Sequence, residues 1–220
     1  GLGSMNLDLL IIVPVLIASV VVHEVAHAWQ ARREGDVTAD KLGRLTLNPL
    51  PHLDLWGSII VPLVLASQGG VLFGWAKPVP VVPANFRNHP WSDIRVSLAG
   101  IVSNLGLAVL STLLGALIAV SYGVLGDGVG GVLLAAARYG IFINLLLAFF
   151  NLIPIPPLDG SHVVAKLLPP ELSARYQNLG RFGIPILFLL VFLAPQVLEF
   201  VLAPVFWLSG MADQFMRMWF

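Results

Sequence analysis

The chain has 220 residues, 57% of them hydrophobic and 11% charged; a soluble domain carries about 25% charged residues, so the composition is that of an integral membrane protein. Twelve Lys and Arg balance twelve Asp and Glu, and without a basic run no nucleic-acid partner is expected. The absence of cysteine excludes disulfides and thiolate metal sites, which leaves His, Asp and Glu as possible ligands.

Residues Gly1 to Ser4 precede Met5 and read as an expression remnant, so that 5–220 forms a single expected domain. The first apolar run, 7–30, is long enough to cross a bilayer, which takes about 20 residues. Asp8 is its only ionisable side chain up to Val22, after which His23, Glu24, Val25, Ala26 and His27 follow at once. Positions i and i+4 share a helix face, so both imidazoles can reach one ion, while Glu24 lies one step round and is free to handle a proton. Zinc peptidases use this H-E-x-x-H pattern, and ionisable groups at membrane depth are functional by default.

The stretch 55–75 is apolar but interrupted by Pro62, Gly69 and Gly70, and is expected to re-enter rather than cross. Over 71–87 the alternation of Pro and Val predicts a small membrane-associated β-hairpin or sheet, able to take up an extended substrate by strand addition. A rigid linker is the other reading of the same prolines. Three further spans follow at 94–122, 132–153 and 182–208, with Pro185 and Pro195 inside the last. The expected fold class is therefore all-α: a polytopic helical bundle of four clear spans, plus the re-entrant segment and the hairpin or sheet. Lys and Arg cluster after the first span, before the second and between the third and fourth, whereas 123–131 has neither. The positive-inside rule then places the amino terminus outside and the His23 end of the first span near the cytoplasm.

Two histidines leave a tetrahedral ion short of one protein ligand. In the run Asn151-Leu152-Ile153-Pro154-Ile155-Pro156-Pro157-Leu158-Asp159-Gly160, three prolines unwind the third span, and Asp159 before a permissive glycine can turn inward. A helix end capped by Asp159 is the alternative. His162 reads as a neighbour of the site or a solvent-facing residue, and His52 and His89 as surface residues.

With these two motifs in order, the chain resembles the site-2 protease family of intramembrane zinc metalloproteases, in its compact prokaryotic form without an appended soluble domain. His23 to His27 matches the family's metal helix, and Asn151, Pro154, Leu158, Asp159 and Gly160 match its N-x-x-P-x-x-x-L-D-G element. The segments Gly74-Trp75-Ala76-Lys77-Pro78-Val79 and Ser97-Leu98-Ala99-Gly100 through Asn104 are similar to its hairpin and middle core helix; Ile101 departs from a common Pro. The resemblance implies that His23, His27 and Asp159 bind Zn2+, that Glu24 is the general base, and that Asn151 holds substrate backbone. Asn104 is a second expected substrate contact, although for Asn104 and Asn144 an interhelical hydrogen bond is the leading reading. The implied activity is hydrolysis of peptide bonds in or near transmembrane helices, with a membrane-embedded protein or peptide as partner. A metal-binding scaffold and a metal-ion transporter are the rival readings.

Overall fold

The structure, a computed structural model, describes residues 2–54, 60 and 76–220. Helix α1, Leu2–Glu34, is the apolar run extended to its basic end at Arg32 and Arg33. It stops at Gly35, whose φ of +114° favours glycine, and a Cβ there would lie 2.9 Å from the carbonyl oxygen of Asn85. A one-turn helix α2, Thr38–Lys41, follows. Helices α3, Trp91–Val120, and α4, Tyr122–Asn151, are joined at Ser121 and form an antiparallel pair against which α1 packs. Gly126, at φ 72° and ψ 169°, breaks the first turn of α4.

After Asn151 the prolines at 154, 156 and 157 leave the chain without helical donors, and it restarts as α5, Asp159–Leu167. Short helix α6, Pro170–Asn178, leads to α7, Gly183–Leu193, and α8, Pro195–Arg217. The stretch expected as one crossing over 182–208 is thus divided at Ala194, with Pro195 in the first turn of α8, where a missing N–H costs nothing. Among the described residues four helices are long and apolar enough to cross a membrane: Asp8–Glu34, Trp91–Val120, Tyr122–Asn151 and Pro195–Arg217.

Packing follows from which faces are apolar and which are small. Ala108, Leu134, Ile141, Leu145, Leu202, Val205 and Met216 form the largest buried cluster, shared by α3, α4 and α8. Gly115 admits Met216, because a Cβ would stand 2.1 Å from its sulfur. The outward face of α3 exposes Val102, Val109, Leu113, Leu117 and Val120, a stripe that suits lipid and would aggregate in water. Where α1 meets the start of α3, Glu34 accepts hydrogen bonds from Arg95 at 2.6 and 2.8 Å, from Ser92 at 2.7 Å and from Gln30 at 2.6 Å.

The expected β-hairpin or sheet is overturned: among the described residues there is no strand. Residues 76–82 are irregular, and Pro83–Asn85 is a single tight turn. The physical reason is that Pro78, Pro80 and Pro83 cannot donate to a ladder. The donors that remain go elsewhere: Lys77 N–H to the carbonyl of His52 at 2.9 Å, Val79 N–H to Glu24 at 2.8 Å, and Val82 N–H to Asp36 at 2.7 Å. Arg44 donates to the carbonyls of Lys77 and Pro78 at 2.8 and 3.3 Å. The segment is therefore clamped by side chains rather than paired. The re-entrant segment expected over 55–75 lies, except for Ile60, outside the described residues.

Candidate active site

Helix α1 places His23 and His27 one turn apart, both buried, and the restart at α5 brings Asp159 to them from the other end of the chain. Gly160 makes that return possible: a Cβ would lie 2.2 Å from the carbonyl oxygen of Leu152. The Nε2 atoms of the two histidines are 3.0 Å apart, and Asp159 Oδ2 lies 3.1 Å from the first and 3.2 Å from the second. These are close to the edges of about 3.3 Å that three ligands span around tetrahedral zinc at bond lengths of about 2.0–2.1 Å.

The outer ring nitrogens show what the inner ones carry. His27 Nδ1 lies 2.7 Å from the carbonyl oxygen of Val96, which can only accept, so this nitrogen bears the proton. His23 Nδ1 lies 2.6 Å from Asn104 Oδ1, and the amide orientation is set because Asn104 Nδ2 donates to Asn144 Oδ1 at 2.8 Å and to the carbonyl of Ser19 at 3.3 Å. Asn144 in turn donates to Ser19 Oγ at 2.9 Å and to the carbonyl of Gly140 at 2.8 Å. With Nδ1 engaged on the outer side, both imidazoles turn Nε2 towards Asp159 Oδ2, which is itself buried without a hydrogen-bond partner. In the neutral form that this tautomer allows, two imidazole nitrogens and a carboxylate oxygen meet at one point, so the donor set fits a bound zinc. Gly100 on α3 leaves the room: a Cβ would stand 2.5 and 2.6 Å from His23 Cε1 and Nε2 and 2.6 Å from His27 Nε2.

A cavity of about 670 Å³ opens beside the triad, lined among others by Glu24, Val79, Asn151, Asp159 and His162. Glu24, half-buried, faces it and accepts the Val79 N–H. Asn151 also faces it, with its amide donating to the carbonyl of Leu147 at 3.0 Å. Asn104 does not line the cavity; it is fully buried, and its amide is spent on His23, Ser19 and Asn144. Lys166 bridges α5 to Asp93 on α3 at 2.8 Å along the same cavity wall.

His162 is exposed on that wall, and His89 is half-exposed against Asp93. His52 corrects the surface expectation: it is 1% exposed, and its Nε2 lies 2.9 Å from the carbonyl oxygen of Thr46. Three contributors escaped the sequence reading. The Val96 carbonyl and the Val79 amide are backbone groups with no residue-type signal. Gly100 had one: a glycine inside a helix costs about 1 kcal/mol against alanine, so it marks a close contact.

The model of Peptidase family M50 matches this chain over residues 11–131 and 114–193. The chain belongs to this family. Among the relatives of this M50 peptidase, YwhC of Bacillus subtilis, named as a candidate zinc metalloprotease, is 40% identical over 188 residues, 82% of this chain and 78% of that protein. Rip2 of Mycobacterium tuberculosis strain H37Rv, named likewise, is 32% identical over 202 residues, 89% of this chain and 71% of its own. No solved structure matches. As an M50 peptidase the protein is a zinc metalloprotease, and its long apolar helices make it a multi-pass membrane protein.

Proposed function

We propose that His23, His27 and Asp159 hold the catalytic zinc, that Glu24 is the general base and acid, and that the substrate is a transmembrane segment of another protein. The observation that carries this reading is the convergence of two imidazole nitrogens and a carboxylate oxygen within 3.0–3.2 Å, with Glu24 on the wall of the adjoining cavity. When bound, zinc supplies the Lewis acid that polarises a scissile carbonyl and makes water acidic near neutral pH. Glu24 takes the proton from the attacking water and returns it to the leaving amine. Val79 N–H holds one Glu24 oxygen at 2.8 Å and so fixes which oxygen is left for the proton. Asn104 and the Val96 carbonyl keep both imidazoles in the ligating tautomer. Asn151, on the same wall, is suited to bond an unwound substrate amide, which would otherwise lack a partner in a dry site.

Among the described residues only three side chains converge as metal ligands. A fourth position open to water and substrate is the pattern of a catalytic site rather than a structural one. The distribution of Lys and Arg supports an external amino terminus and a site nearer the cytoplasm. The test is zinc analysis beside cleavage of a panel of single-span substrates. Glu24→Gln is expected to keep zinc and lose about 10²- to 10⁴-fold in turnover; Asp159→Ala is expected to lose zinc as well. Turnover unaltered in Glu24→Gln would remove Glu24 from the reaction.

A further inference from the structure

Between α4 and α8 lies an open pocket of about 490 Å³. Arg138, Tyr139, Ser209, Asp213 and Arg217 line it. Asp213 accepts Arg138 Nε–H at 2.8 Å on one oxygen and Arg217 Nε–H at 2.7 Å on the other. Among the described residues no acceptor meets the terminal nitrogens of either guanidinium. The Ser209 hydroxyl is buried at the same pocket without a partner. Tyr139 OH is already spent on Asp8 at 3.0 Å. One carboxylate shared by two arginines leaves planar donors free, with Arg138 45% and Arg217 70% exposed and the Asp8 carboxylate beyond Tyr139.

We propose that this pocket seats the phosphate of a phospholipid head group. A phosphodiester carries one negative charge, which the two guanidiniums can bind beside Asp213, and its oxygens match the paired donors that arginine offers. Ser209 supplies a further hydroxyl. A lipid rather than free phosphate is favoured because α8 exposes Phe206, Trp207 and Met211, next in sequence to the pocket-lining Ser209 and Gly210, as apolar surface for acyl chains.

Native mass spectrometry of the full chain released from phosphatidylglycerol nanodiscs tests this. The wild type should retain one lipid, and Arg138→Gln and Arg217→Gln should each lower retention about tenfold, the worth of a charge-assisted hydrogen bond, with zinc content unchanged. An adduct that persists undiminished in the double variant overturns the proposal. If the variants fail to fold, the wild type alone decides: a galactosyl diacylglycerol with the same tails and no phosphate should not be retained, and equal retention refutes a phosphate site. Inorganic phosphate alone binding the delipidated protein as tightly as the lipid does would refute the lipid source.

Discussion

Two regions position the catalytic groups, and they do it by different means. Inside the bundle, Ser19, Asn104, Asn144 and the Val96 carbonyl join α1, α3 and α4 through buried side-chain bonds that end on the outer nitrogens of the two proposed ligands, His23 and His27. Over the cavity mouth, residues 76–82 are held by isolated contacts to Glu24, Asp36, Arg44 and His52, and one of these reaches the proposed base through a backbone amide alone. The first region has rigid helices on every side and fixes geometry. The second has few anchors, each replaceable, and tunes a group whose work is to move a proton. Metal affinity should therefore respond to changes in the bundle, and turnover to changes in the mouth.

Gly100→Ala is the largest expected blow to this division on the bundle side. The added methyl would stand 2.5–2.6 Å from both imidazoles, with helix backbone behind it, so the rings rather than the helix must shift. Overpacking of this kind costs about 1–3 kcal/mol in a core, and here the displaced atoms are the ligands, so zinc content and cleavage should both be lost. Asn104→Ala comes next. Removing the acceptor from His23 Nδ1 frees the ring tautomer, and loss of such a partner weakens metal binding by about 10- to 100-fold. Competition with a zinc chelator measures it, and Asn104→Asp, which restores the acceptor, should recover much of the affinity. Unchanged zinc affinity in Asn104→Ala would dissolve the distinction between the two regions.

The same division explains what was legible in the sequence. His23, Glu24 and His27 announce themselves because charged and ligating side chains interrupt an apolar run, and the crossing helices follow from length and hydropathy alone. Family membership rested on those residues together with the Asn151 to Gly160 element. The mouth was misread as β-structure because alternating Pro and Val satisfies the periodicity of a strand while Pro78, Pro80 and Pro83 remove the donors a ladder needs. Which acceptors then take the amides of Lys77, Val79 and Val82 depends on residues 25 to 55 positions away in the chain, and local pattern holds no information about that. The role of Asn104 was open between substrate and scaffold, since an Asn in a membrane helix looks the same in both cases; the buried bonds to His23 and Asn144 support the scaffold.

At the mouth, Val79→Pro is the sharpest substitution. It deletes the N–H that Glu24 accepts and keeps a compact apolar side chain against Ala28 and Ala39, in a segment already flanked by Pro78 and Pro80. A hydrogen bond to a charged group is worth about 1.5–3 kcal/mol, so kcat should fall about tenfold with zinc content unaltered. A loss of zinc would show that the segment supports the ligands and not the base. A rise in kcat would show that the amide restrains Glu24 rather than aiming it.

The smallest effect is expected at Asp36, which anchors the same segment at Val82. Burial pushes its carboxyl up, but the Thr38 hydroxyl, the Val82 amide, the Asn85 side chain and the Thr38 amide outweigh that and hold it below the usual carboxylate value. A carboxyl depressed by folding contributes stability that is complete above its unfolded value of about 4. That contribution is lost as pH falls from there through the lower folded value. Protection of the Val82 amide against hydrogen exchange, relative to the intrinsic rate at each pH, should therefore fall as the pH drops below about 4 in the wild type. In Asp36→Asn, which has no charge to lose, protection should be lower already at pH 7 and show a weaker acid dependence. Because Glu24 meets this segment at Val79, three residues earlier, turnover of Asp36→Asn near neutrality should fall only a fewfold; a collapse in turnover would mean that the mouth is held by this one carboxylate and not by several separate contacts.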